Sequence, residues 1–113
     1  MSSLTMTTDA AFADDVLASP LPVLVEFTAD WCPPCRKVAP VLEQLSVEEE
    51  SRMRIVALDV DHNPKTTLEY QVLGMPTFAL FSGGEVVARF TGIRPKSAIM
   101  RELEPHLDSA VSR

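Results

Sequence analysis

The two cysteines of this chain stand together in Ala29-Asp30-Trp31-Cys32-Pro33-Pro34-Cys35-Arg36-Lys37, and their flanks restrict what the chain can fold into. Before them runs Val23-Leu24-Val25-Glu26-Phe27, apolar on both parities except at Glu26, the pattern of a strand buried on both faces. After them Val38, Val41, Leu42 and Leu45 recur at the spacing of an amphipathic helix. A Cys-x-x-Cys pair at a strand-to-helix junction is the sequence form of a redox dithiol. Residues three apart share a face in the first helical turn, so the two sulfurs come within bonding distance. Cys32 would sit at the helix N-terminus, where unpaired backbone donors and the positive end of the dipole favour the reactive thiolate. Pro33 and Pro34 suit that first turn, because the N–H they lack has no helical partner there. They offer Cys32 no donor, which leaves the Cys35 amide as the main one nearby.

Two plainer readings compete. The pair could be half of a zinc site, but His62 and His106 lack the paired spacing that a Cys2His2 site needs. It could be an inert structural disulfide, which a reducing cytosol and an exposed strand-to-helix position argue against.

The chain has 113 residues, enough for one domain with a sizeable core. A net charge of −6 disfavours non-specific binding to nucleic acid or to anionic membrane. No apolar run approaches the roughly 20 residues of a membrane span. Residues 1–8 have neither a basic start nor a long apolar stretch, so they do not read as a secretory signal, and the cytoplasm is the expected location.

In chain order, residues 4–7 read as a weak edge strand. A helix follows, capped by Thr8 or Asp9 and carrying Ala10, Phe12, Ala13, Val16 and Leu17. After the strand at 23–27 and the Cys32 helix, residues 54–60 form another buried strand and residues 65–70 a short helix. Gly74-Met75-Pro76 precedes a strand at 77–81, which turns at Ser82-Gly83-Gly84-Glu85 and pairs back through residues 86–90. Residues 97–107 form a last helix, with Ile99, Met100 and Leu103 inward and its final turn distorted by Pro105. The tail from Asp108 is expected to fray. The order β-α-β-α-β-α-β-β-α implies an α/β fold, a mixed sheet with helices on both faces.

From about Leu4 to Leu107 the chain resembles the thioredoxin family. The landmarks are Phe27, Ala29, Trp31-Cys32-x-Pro34-Cys35, Pro40, Asp59-Val60-Asp61, Asn63-Pro64, Tyr70, Gly74-x-Pro76-Thr77, Phe81, Gly84 and Gly92. The resemblance implies a thioredoxin fold, a central mixed five-stranded sheet flanked by four helices, as a single domain and a monomer. It implies a protein-disulfide oxidoreductase with no dissociable cofactor, its electrons carried by the Cys32–Cys35 pair. Cys32 would be the exposed nucleophile, and Cys35, less exposed, the resolving thiol. Pro76 matches the family's cis-proline, beside which the Met75 backbone would pair with a bound substrate strand. Trp31, Val60, Gly74, Met75, Gly92 and Ile93 would form an apolar rim for disulfide-containing client proteins and for thioredoxin reductase. The plain alternatives are a Trp31 in the core and a Gly92 that merely turns. The chain itself shows no nucleotide fingerprint, so its electrons would come from that reductase.

Four departures from the family pattern bear on chemistry. Pro33-Pro34 replaces Gly-Pro and would tune the redox potential. Thr28 stands where the family has a tryptophan, and Ala57 where it often has a lysine. Glu26 replaces an aspartate thought to move the resolving thiol's proton. Burial on the strand would raise the Glu26 pKa toward a base's range, unless the side chain bends out to solvent. Family oxidases and isomerases usually carry a histidine between the cysteines; the uncharged Pro33-Pro34 favours a reductant. Two other functions stay open: a specialised oxidoreductase with a narrow client set, and a non-enzymatic binding module.

Overall fold

The computed structural model describes residues 4–108. Its frame is a five-stranded sheet in the order β1-β3-β2-β4-β5: β1 Thr5–Thr7, β2 Val23–Thr28, β3 Arg54–Asp59, β4 Thr77–Ser82 and β5 Glu85–Thr91. The sheet is mixed. β2 runs parallel to β3, which runs parallel to β1, while β4 is antiparallel to both β2 and β5. The helices are a short π-helical segment at Ala13–Leu17, α1 Pro33–Glu48, α2 Pro64–Glu69 and α3 Lys96–Leu103. This is the four-helix, five-strand arrangement expected from the sequence.

β2 lies at the centre, and residues 23–27 are all buried. Its alternation splits the core into two layers. Leu24 faces the layer built with Val38, Leu42 and Leu45 of α1 and Ile99 and Leu103 of α3. Val23, Val25 and Phe27 face the other, with Phe12, Val16 and Phe81. There Phe12, Tyr70 and Phe81 meet with ring centroids 5.2–5.7 Å apart, near the spacing at which edge-on aromatic contacts are favourable. Glu26 shares the parity of Leu24, so the strand points its carboxylate toward α1.

The first helix differs from expectation in extent and in capping. Only the segment Ala13–Leu17 is helical, closed by a bond from the Ala18 amide to the Ala13 carbonyl (2.9 Å). Thr8 accepts from the Ala11 amide (3.1 Å), but Asp9 caps another element. Its carboxylate accepts from the amides of Lys65 (3.1 Å) and Thr66 (2.8 Å) in the first turn of α2, which have no helical partner of their own. Asn63 completes the joint, accepting from the Asp9 amide (2.8 Å) and donating to the Asp59 carbonyl (3.0 Å).

The last helix also stops short of residue 107. α3 ends at Leu103 and passes into a 3-10 turn, Glu104–His106, around Pro105, the distortion that residue implies. Of the tail expected to fray, residues 109–113 lie outside the described residues, as do residues 1–3.

Candidate active site

The end of β2 and the start of α1 build the site. Cys32 is the N-cap of α1, with an extended backbone (φ −94°, ψ 104°), and Pro33 and Pro34 open the helix. The Cys35 amide donates to the Cys32 sulfur at 3.2 Å, the one donor that two consecutive prolines leave in reach. The same turn brings the Cα atoms of Cys32 and Cys35 to 5.3 Å, and the two sulfurs form a disulfide.

One expectation fails here. Cys32 is only 2% exposed and Cys35 4%, so Cys32 is neither exposed nor the more open of the two. The reason is local cover: Val60 and Met75 pack over the small cluster of Ala29, Cys32 and Cys35.

The rim residues divide by exposure. Trp31 is 60% exposed and therefore not a core residue; its indole N–H donates to the Asp61 carboxylate at 2.7 Å, which holds the ring against the turn after β3. Ile93 is also exposed, and Gly74 has open space around its Cα. Pro76 is buried behind a cis Met75–Pro76 peptide bond. Gly92, at φ +86°, donates its amide to the Pro76 carbonyl (3.0 Å), so it fastens the proline loop as well as turning the chain. The structure thus joins Val60 and Met75 directly to the dithiol, and Gly92 to Pro76. Ile93 stands in the solvent beside Gly92.

Two residues of this surface escaped the sequence reading. Asp61 was legible as a landmark but not as the partner of Trp31. Leu73, 97% exposed, directly precedes Gly74-Met75-Pro76. Its only signal was an apolar side chain beside a turn, next to a Val72 that takes the buried place.

Glu26 does not bend out to solvent. It is 3% exposed, and its Oε2 has no hydrogen-bond partner. Ala57 stands opposite it on β3 and Phe78 on β4, and neither can answer a charge. Desolvation alone pushes its carboxyl up from 4.5 to about 7. Glu26 and Cys35 line one cavity of about 630 Å3, together with Thr28 and Ala57. Three of the four departures from the family pattern, Glu26, Thr28 and Ala57, therefore meet in one place. Among the described residues, no group of three or more His, Cys, Asp and Glu side chains is placed to hold a metal ion.

The raised carboxyl has a consequence for stability. An unfolded chain releases the Glu26 proton near 4.5, while the folded chain keeps it to about 7. Between those values the folded state binds more protons, so stability falls as pH rises through this window and levels off above it. The full effect is about 3 kcal/mol. Urea unfolding of the oxidised protein at several pH values should show this decline, and Glu26→Gln should flatten it. An equal slope in both proteins would show that Glu26 is not the group responsible.

The comparisons with known proteins agree with this geometry. A family model described as Thioredoxin matches residues 3–105. A thioredoxin of Mycobacterium tuberculosis is 48% identical over 102 residues, covering 90% of this chain and 88% of its own. A thioredoxin of Synechocystis is 43% identical over 107 residues, covering 95% of this chain and 100% of its own. A bifunctional thioredoxin reductase/thioredoxin of Mycobacterium leprae is 49% identical over 96 residues, covering 85% of this chain and 21% of its own. With a disulfide between the two cysteines of a Cys-x-x-Cys turn and a family match across nearly its whole length, the chain belongs to the thioredoxin family and is a thiol–disulfide oxidoreductase.

Proposed function

We propose that this oxidoreductase works as a reductant of protein disulfides, with Cys32 as nucleophile and Cys35 as resolving thiol. The observation that carries the division of roles is the bond from the Cys35 amide to the Cys32 sulfur at the N-terminus of α1. That donor and the helix end both favour negative charge on Cys32. In the reduced protein the Cys32 thiolate attacks a client disulfide; one client sulfur leaves as thiolate and a mixed disulfide forms. Cys35 then gives up its proton and attacks the Cys32 sulfur. The second client thiolate departs, and the chain is left oxidised by two electrons.

Glu26 takes the Cys35 proton, directly or through a water. Its support is the shared cavity, the unpartnered oxygen and a carboxyl near 7, where a base is most effective at neutral pH. Clients dock on Trp31, Val60, Gly74, Met75, Pro76, Gly92 and Ile93, with Leu73 extending that rim. A client strand pairs with the Met75 backbone. Pro33 and Pro34 set the potential by withholding donors and charge from Cys32.

Thioredoxin reductase returns the electrons; the Mycobacterium leprae relative, a bifunctional thioredoxin reductase/thioredoxin, supports this partner. The chain acts as one domain, a monomer, in the cytoplasm and without a dissociable cofactor. Among the described residues no helix is long and apolar enough to cross a membrane, and the net charge of −6 opposes binding to nucleic acid.

Two measurements test this reading. Cys35→Ser should retain clients as mixed disulfides on Cys32, released by dithiothreitol, while Cys32→Ser retains none; equal recovery by both variants would reverse or abolish the assigned roles. Glu26→Gln should slow release of the mixed disulfide at pH 7 by about 100-fold, the lower end of a general base's contribution. It should also remove the limb of the rate profile near pH 7. A rate and profile unchanged in Glu26→Gln would exclude the proton role.

A further inference from the structure

The segment between α2 and β4 carries Leu73, Met75 and Pro76 of the docking rim, and it leaves α2 through a reversal at Gln71. Gln71, at φ +54°, is the one non-glycine residue with a left-handed backbone among the described residues. The reversal has the form of a Schellman turn: the Val72 amide donates to the Thr67 carbonyl (3.0 Å) and the Gln71 amide to the Leu68 carbonyl (3.0 Å). Glycine usually takes that position, because a Cβ is disfavoured there. Gln71 therefore has to be held by its surroundings. Tyr70 is anchored through its ring, against Phe12 and Phe81, and Val72 through burial. Neither anchor satisfies the carbonyls of Tyr70 and Gln71, which project past the end of α2.

Arg89 of β5 satisfies both. Its guanidinium donates to the Tyr70 carbonyl (2.5 Å) and to the Gln71 carbonyl (3.0 Å). A planar fork suits two adjacent carbonyls, and a cation suits the negative end of a helix. α2 has no basic residue in its own last turn, so Arg89 supplies that charge from the sheet. The backbone of Arg89 pairs with Ala79 of β4, the strand into which the segment runs. Farther along, the Thr77 hydroxyl donates to the Gly74 carbonyl (2.6 Å) and the Gly92 amide to the Pro76 carbonyl (3.0 Å). The β4–β5 pair thus fastens the segment at both ends. Leu73, 97% exposed between those points, has little packing of its own to hold it.

We propose that Arg89 is a positioning residue for client docking: its two bonds hold the Gln71 reversal, so that Leu73 and Met75 are placed for a protein client before it arrives. A segment ordered in advance loses less freedom when a client docks, so Arg89 contributes affinity for large clients and leaves the exchange chemistry unaltered. The inference rests on the reading that protein clients dock on this rim.

The test mixes the pre-reduced full chain with excess insulin, a protein disulfide without tryptophan, and follows Trp31, the single tryptophan of the chain, as the dithiol is oxidised. Arg89→Ala should raise the insulin concentration at half-maximal rate by at least about fivefold, the worth of one net hydrogen bond, with the maximal rate unchanged. Hydroxyethyl disulfide, too small to span the rim, should be reduced at the same rate by both proteins. The amides of Gln71 and Val72 should exchange with solvent at least about fivefold faster in Arg89→Ala, while those of β2 do not change. Arg89→Lys keeps the charge but not the fork; it should recover part of the affinity, and it keeps the test available should Arg89→Ala fail to fold. An unchanged half-maximal concentration in Arg89→Ala would overturn the proposal and leave docking on the rim standing. Equal slowing with insulin and hydroxyethyl disulfide would also overturn it, since the disturbance would then have reached the sulfurs. Failure of the unsubstituted chain to reduce insulin would instead discard the docking reading, and this inference with it.

Discussion

Strand β2 is hydrogen-bonded along both edges, parallel to β3 and antiparallel to β4, and residues 23–27 are covered on both faces. A strand held on four sides has almost no freedom to shift in register, because a slip of one residue would exchange its two core layers. The site hangs from this strand. Its C-terminal end delivers Ala29 and Cys32 to a fixed position, and Cys32 caps α1 there. The turn after the neighbouring β3 delivers Val60 over the sulfurs and Asp61 to the Trp31 indole. The start of β4 follows Met75 and Pro76. Three adjacent strand ends thus bring together residues that lie far apart in the chain, as expected where ligands meet the ends of strands in an α/β sheet.

The same strand carries a group that opposes the fold. Glu26 occupies a position where its neighbours are Leu24, Ala57 and Phe78, and its Oε2 is left without a partner. Apolar replacement would serve packing better, so the stability lost at neutral pH calls for another reason to keep a carboxylate there. Its place beside Cys35 in a common cavity offers one. A carboxyl that can hold or release a proton near neutrality lines the same cavity as the thiol that must lose one during exchange.

Much of this was legible from residue order alone. The apolar run ending in Phe27, the Cys-x-x-Cys turn, and the hairpin through Gly83-Gly84 each carry their cause within a few residues, and each falls where expected. The Cys35 amide could be named as the donor to Cys32 because two prolines eliminate the nearer candidates. What was not legible depends on tertiary neighbours. Asp9 could have capped the helix it precedes; it caps α2 instead because folding brings the unpartnered amides of Lys65 and Thr66 to it. Cys32 was expected to be exposed from the resemblance to the thioredoxin family, and Val60 and Met75, from two other strand ends, cover it. The cavity could not be foreseen either. Its lining includes Thr28 and Ala57, which come together only in the folded sheet.

The central claim is that the Cys32–Cys35 pair donates electrons to clients and does not withdraw them. Equilibrating the protein with glutathione or dithiothreitol buffers and counting its free thiols gives the reduction potential directly. For a two-electron couple about 30 mV corresponds to a tenfold change in equilibrium constant, so the two functions separate clearly. With no cation between the cysteines to stabilise the thiolate, the account predicts a potential at or below about −220 mV, at the reducing poise of glutathione in the cytosol. A potential above about −180 mV, where disulfide isomerases and oxidases operate, would contradict it.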